Sequence, residues 1–387
     1  MRKNLSIILV ILVCMAAISF ICVKSFTRNN AFDDSINLAI AYIANHTEPE
    51  GRFIYKTSTD PEKKFNRARY NSVRHAGVLY SMYLCERYLK NHSLRDKRYL
   101  ASDYFVKRYI KPAGKDMFMV ISLPEEENKK AVDAKTGASG LALAALSNLY
   151  GENKVDLKIL QGLGNFLVYM QKSDGSFYSK YDLQTASRDD KFKSLYYPGE
   201  AALGLLYLNE AAPSEKWVDT SKKALLYLTK SREKENMPFD HWYALALKKL
   251  FETPDNHLTA DEELLLRNHA SRLAGSAVLG QIMDKKNKFY GSFGGQMRLN
   301  SIATVMEGLN ALYYCVDDRN LKKRIKQSLY AGNAFIAKYQ VKEGDLAGGI
   351  PYSPFWAAKQ APSKYKVIRI DNVQHALSAW ILYSIIR

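Results

Sequence analysis

YYPGEAALGLLYLNEAAPSEKWVDTSKKALLYLTKS, residues 196–231, joins two helical patterns of different kinds. Gly199–Asn209 is apolar nearly all round, and a helix of that composition must be buried on every side. Ser214–Ser231 is amphipathic, with a charged face for solvent and an apolar one for a neighbour. The link between them is short, so the two helices pack side by side.

The same two kinds alternate along the whole chain. Charged helices are expected at Asp33–His46, Ser93–Ile110, Val155–Lys172, Ser214–Ser231, Thr259–Asp284 and Arg319–Gln340. Apolar ones are expected at Ser72–Leu89, Gly137–Tyr150, Gly199–Asn209, His241–Glu252, Ser301–Cys315 and Asn372–Ile386. Convincing strands are few. Six solvated helices around six buried ones predict an all-α (α/α)6 toroid, a single domain over residues 30–387. An α-solenoid also pairs helices, but rarely buries one of each pair so completely.

Links from charged to apolar helices are long and chemically rich, and the return links are short. A toroid therefore gathers every long loop, and the N-termini of all inner helices, at one end. Long loops on a rigid scaffold are where function concentrates. Convergent helix N-termini, each with about half a positive charge, favour an anion.

Five of the six inner-helix starts carry ionisable side chains. "FNRARYNSVRHAG" supplies Arg67, Arg69, Tyr70, Arg74 and His75; "YYPGEAAL" supplies Glu200; "FDHWYALA" supplies Asp240, His241 and Trp242. "GGQMRLNSIATVMEG" supplies Gln296, Arg298 and Glu307, and "RIDNVQHALSAW" supplies Arg369, Asp371 and His375. Local roles compete with a shared site. Asn71 and Asp240 suit N-caps, and Asp371 with Gln374 has the spacing of a capping box. Glu307 lies about two turns into a buried helix, where a lone carboxylate is costly. It must pair or do chemistry. "DGSFYSKYD" and "GSFGGQMR" read either as plain turns or as mounts for aromatic rings that stack on sugars, as Trp242, Tyr352 and Trp356 also could.

The chain of 387 residues has a net charge of +17, which points to an anionic partner. No zinc knuckle, phosphate loop or aromatic RNA signature accompanies the charge, so nucleic acid is not expected. The Asp-rich strings "FDDS", "SRDD" and "VDDR" lack the spacing of terpene-cyclase motifs. No metal or cofactor signature appears, and none is expected. At the N-terminus, Met1–Asn4 with two basic residues precedes an apolar run from Leu5 to Val23, long enough to span a bilayer. Small residues of a cleavage site are missing after it, and Cys14 and Cys22 do not follow a lipoprotein pattern. Residues 1–29 are thus expected to be an uncleaved anchor that leaves the main domain outside the cytoplasm. Cys85 and Cys315 sit in apolar helices and read as two buried thiols.

The six-hairpin pattern, "DGSF", "YYPGEAALGLLYL" and "RIDNVQHALSAW" resemble carbohydrate-active (α/α)6 proteins. The nearest types are the N-acylglucosamine 2-epimerase superfamily and the catalytic domain of glucuronyl epimerases. The resemblance implies that inner-helix starts supply Arg, His, Glu and Tyr around a sugar ring. The expected function is a uronate epimerase or lyase on an acidic polysaccharide. His75, Glu200, His241, Glu307, His375 and Tyr70 form the catalytic set. Arg67, Arg69, Arg74, Asp240, Trp242, Gln296, Arg298, Tyr352, Arg369 and Asp371 bind substrate. Alternatives are a glycoside hydrolase built on a carboxylate pair and a non-catalytic glycan-binding or assembly factor.

Overall fold

A computed structural model describes residues 31–232, 238–294 and 297–386. Residues 34–387 form one compact unit; of the other, residues 1–33, only 31–33 are described. The expected anchor at 5–23 lies outside the described residues. Among the described residues no helix is long and apolar enough to cross a membrane.

Among the described residues twelve long helices alternate as the pattern predicts. The outer ones are α1 (Asp33–Asn45), α3 (Arg95–Tyr109), α5 (Leu157–Met170), α7 (Glu215–Ser231), α9 (Ala260–Leu279) and α11 (Arg319–Lys338). The inner ones are α2 (Ser72–Leu89), α4 (Thr136–Leu146), α6 (Tyr197–Ala211), α8 (His241–Glu252), α10 (Leu299–Cys315) and α12 (Ile370–Ser384). Each inner helix packs on the next, and α12 returns to α2, so the ring closes as a toroid and not as an open solenoid. Every residue of α4 is buried, as its composition requires. The leucines of α4 and α6 each contribute roughly 1.5–3 kcal/mol by burial. Gly140 and Gly204 let these two helices touch backbone to backbone; a Cβ on Gly204 would strike the Gly140 carbonyl. Cys85 and Cys315 are free buried thiols, and burial pushes both up to about 12.

The long links hold more strand than the sequence suggested. β1 (Lys56–Ser58) pairs with β7 (Val367–Arg369), while β2 (Ile110–Gly114), β3 (Met117–Ser122), β4 (Asp133–Lys135), β5 (Lys180–Asp182) and β6 (Ser187–Asp189) form an antiparallel meander. Most of these strands are three residues long, too short for a period-2 signal to rise above loop composition.

The glycine–aromatic turns have a structural role. Gly175 and Gly291 have φ of +90° and +92°, and each lies hard against the backbone of the outer helix one hairpin onward, at Lys223 of α7 and Ala331 of α11. Gly51 meets α3 at Leu100, and Gly348 meets α1 at Leu38. Phe53, which follows Gly51, and Phe177, which follows Gly175, are buried. Gln171 and Gln281 lock two of these turns: each side-chain amide donates to the turn glycine's carbonyl and to a carbonyl of the helix beyond, Thr220 and Ser328. α9 ends at Leu279 and does not run to Asp284 because the backbone beyond it pairs with the turn: Gln281 bridges Phe293, and the Ile282 N–H donates to the Ser292 carbonyl.

Candidate active site

The starts of α2, α6, α8, α10 and α12 surround a cavity of about 310 Å³ at the loop-rich end. That is at the low end of the ~300–1,000 Å³ typical of small-molecule sites, room for about one sugar ring. Of the expected residues, Arg74, Glu200, His241, Trp242, Arg369, Asp371 and His375 line it. Glu307 lies directly behind, fully buried and hydrogen-bonded to His375.

One wall is cationic. Asp371 lies 3.1 Å from Arg74 Nε, and Arg369 donates to both its oxygens at 3.0 and 2.9 Å. Arg74 also donates to the Tyr55 hydroxyl. Burial alone would push the Asp371 carboxyl up; the two arginines and His375 outweigh it and hold it below the ordinary range. Two guanidinium groups against one carboxylate leave one positive charge facing the cavity. Asp371 does not cap its helix: the N-cap of α12 is Arg369, and no side-chain cap bond forms. The ion pairs have taken the carboxylate that the capping-box spacing offered.

Glu200 forms the opposite wall. It is buried, and its Oε2 has no hydrogen-bond partner. Burial, reinforced by the charge of Asp240 and opposed by Lys135, pushes its pKa up to about 8. It is therefore a neutral carboxyl near pH 7, a proton donor in waiting.

Between the walls stand two histidines, their rings 5.2 Å apart and edge to face. His375 Nδ1 is 2.6 Å from Glu307 Oε2, while the ring keeps 12% of its side-chain surface exposed. His241 Nε2 is buried without a hydrogen-bond partner, 3.9 Å from the same carboxylate oxygen. Burial, helped by His375, lowers the His241 pKa well below its usual value, so its ring is neutral. Burial raises the Glu307 pKa, against the pull of His375. His241, Glu307 and His375 offer ligand atoms all within 4.8 Å of one another, a set that could hold a metal ion. The 2.6 Å contact is nonetheless that of a direct hydrogen bond. Two ligands each about 2 Å from a tetrahedral zinc stand farther apart than that.

Several expected site residues lie elsewhere. His75 points outward from α2 into the α3 contact. Its Nε2 is 2.9 Å from the Ala101 carbonyl, so Nε2 carries the hydrogen, and the Tyr70 hydroxyl donates to Nδ1 at 2.8 Å. Burial drops the His75 pKa to about 3. Tyr70 is buried too, and its oxygen accepts from the Phe53 N–H. The pair is a satisfied core contact, because a helix start has an outer face as well as an inner one. Arg67 pairs with Glu48, and neither Arg67 nor Arg69 lines the cavity. Asp240 caps α8 through the Tyr243 N–H and binds Arg232 at 2.8 Å. Arg298 and Tyr352 border a second cavity. Gln296 lies outside the described residues.

The cavity also uses residues that sequence reading passed over. Tyr196 is the N-cap of α6 and Tyr197 its first residue, and Asn300, Ser301 and Thr304 lie in the first turns of α10. Gln374, taken for a capping partner, lines the wall one residue before His375. All are neutral, and a search for ionisable groups at helix starts overlooks neutral side chains. Polar residues from the N-cap through the second turn of each inner helix include all of them.

No protein-family model and no curated protein matches the sequence. Solved structures do match. An inactive variant of an α-1,6-mannanase of Salegentibacter sp. HEL1_6, in complex with α-1,6-mannotriose, has a TM-score of 0.60 at 11% identity, over 91% of this chain and 98% of that one. Cellobiose 2-epimerase of Bacillus thermoamylovorans has a TM-score of 0.60 at 12% identity, over 90% and 98%. An unsaturated glucuronyl hydrolase specific for heparin has a TM-score of 0.58 at 11% identity, over 90% and 95%. These neighbours are carbohydrate-active enzymes. At such identity the likeness establishes the fold: the chain is an (α/α)6 six-hairpin toroid, an architecture it shares with hydrolases and epimerases of carbohydrates.

Proposed function

We propose that the protein is a carbohydrate-processing enzyme that moves a proton on an anionic sugar residue, as a uronate epimerase or lyase. The observation that carries this reading is the His375–Glu307 dyad set into a cavity whose rim holds Arg74 and Arg369. Abstraction of a proton beside a carboxylate needs that carboxylate neutralised and a base of suitable pKa. The surplus charge of Arg74, Asp371 and Arg369 meets the first need. For the second, Glu307 holds His375 Nδ1, leaving Nε2 to take the proton and the carboxylate to stabilise the imidazolium. Neutral Glu200, or His241, then returns a proton for epimerisation or protonates a leaving oxygen for elimination.

The hydrolase alternative needs two available carboxylates at a set separation. Three of the four expected carboxylates are committed: Asp240 to a cap and Arg232, Asp371 to two arginines, Glu307 to His375. That favours proton transfer. The reading includes export. The basic start and the apolar run Leu5–Val23 would tether a domain lying outside the cytoplasm. A reporter active only in the cytoplasm, fused at the C-terminus, should then stay silent.

The decisive assay incubates the full chain with a panel of uronate polysaccharides in D2O. Deuterium entering the sugar, or ultraviolet absorbance of an unsaturated uronate, is expected from the wild type and not from His375→Asn. New reducing ends without either signal would replace the reading with hydrolysis. No change in any acidic polymer would end it.

A further inference from the structure

Beside the catalytic cavity lies a second one of about 340 Å³, bordered by Arg298, Tyr352, Phe355, Lys364 and Tyr365. The two adjoin along two elements. On α10, Asn300 and Ser301 line the first while Arg298, the N-cap, lines the second; Arg298 and Ser301 are one turn apart, about 5 Å along the axis. Beside it runs β7, which begins two residues after Tyr365 of the second cavity and ends on Arg369 of the first. The Tyr352 N–H donates to the Val367 carbonyl and the Leu299 N–H to the Tyr352 carbonyl, so the strand, the loop and the helix start are bonded into one wall.

The chemistry of this second cavity is particular. The rings of Tyr352 and Tyr365 lie nearly parallel, 16° apart with centroids 6.5 Å from each other. The Arg298 guanidinium stands 5.3 Å from the Tyr352 centroid, and Lys364 Nζ stands 5.6 Å from that of Tyr365. Both cations are exposed, and neither pairs with a carboxylate among the described residues. Aromatic faces offer the apolar side of a sugar ring a place to stack, and two unpaired cations above them offer its acidic group a partner.

We infer that this cavity is a subsite for the next anionic sugar residue of the same glycan chain, its ring against Tyr352 and Tyr365 and its carboxylate or sulfate between Arg298 and Lys364. The inference rests on the proposed action upon an acidic glycan and adds a demand of its own. The substrate is an oligomer with charged residues in succession, and recognition grows with its length.

The test compares the wild type with an Arg298→Ala, Lys364→Ala double variant on acidic oligosaccharides of increasing length, and repeats the binding by calorimetry in a His375→Asn background. For the wild type, kcat/KM and affinity should rise by at least about tenfold once the chain is long enough to enter the second cavity, about 1.4 kcal/mol. The double variant should lose that gain, and so should Tyr352→Ala. Both cations are exposed, so circular dichroism should show the variant's helices intact. A double variant that keeps the full gain with length overturns the subsite and leaves the function standing. A gain equally large on neutral oligosaccharides overturns its anionic character. A wild type that neither binds nor converts any acidic oligosaccharide overturns both.

Discussion

The Nδ1 of His375 lies 2.6 Å from Oε2 of Glu307, a carboxylate with no exposed surface. The pairing sets the tautomer of the ring and puts a negative charge behind it. Glu307→Gln keeps the shape and removes the charge, so the loss should fall on kcat and spare KM, because the imidazolium forms only as the proton moves. We expect at least about a tenfold fall in kcat, ~1.4 kcal/mol, with the melting temperature little changed. Steady-state kinetics and thermal melts on one preparation check it; a stability loss with normal kcat would make the pair purely structural.

Glu200 predicts a pH signature. Its pKa in the fold is about 8 against an ordinary 4.5, so the folded state holds a proton that the unfolded chain releases. Stability must then fall as pH rises through that window, by up to about 1.4 kcal/mol per unit. Glu200→Gln has no proton to lose. Its melting temperature should climb relative to wild type from pH 5 to pH 8, and parallel curves would show that the carboxyl is not held neutral.

Asp371 has the opposite sign. Its folded pKa lies below the ordinary 3.8, so its contribution is present above that value and disappears as pH falls through the folded one. Asp371→Asn leaves Arg74 and Arg369 facing each other without the carboxylate between them. We expect a loss of about 3 kcal/mol in denaturant titrations at neutral pH. The gap between variant and wild type should narrow on acidification below about pH 3.8.

Gly175→Ala and Gly291→Ala test the turns that join neighbouring hairpins. Both glycines have positive φ, and a Cβ at either would run into a backbone carbonyl of the next outer helix. Each substitution should cost more than about 1 kcal/mol, read by calorimetry, with kcat retained. Gly275, with nothing within reach of an added Cβ, is the control and should tolerate alanine.

The architecture was legible because burial writes itself into composition: α4 and α6 are apolar all round, and only a ring of helices hides that many such faces. Ser72–Leu89 and His241–Glu252 were readable to the residue, since Asn71 and Asp240 announce where those helices begin. The site was half legible. Sequence gives the turn of a helix at which a residue sits, not the direction in which it points. Arg74 and His75 are neighbours in the chain, yet one meets Asp371 across the cavity and the other is bonded to Ala101 on the outside. The three-residue strands and the neutral cavity lining left no periodic or charged trace to read.

The ring closes where α12 meets α2: Ser81 donates to the Gln374 carbonyl across 293 residues of chain, and Arg74 reaches Asp371 close by. The cationic wall of the cavity spans that seam, one arginine from each side. A chain with every hairpin formed but the seam ajar would show almost full helicity and possess half a binding site. Activity should therefore vanish ahead of helix content during unfolding. A ligand that spans the two arginines acts as a latch, since its binding energy adds directly to the free energy of closure. During synthesis, eleven of the twelve described helices are translated before the ribosome reaches His375, and the cavity cannot work until α12 docks.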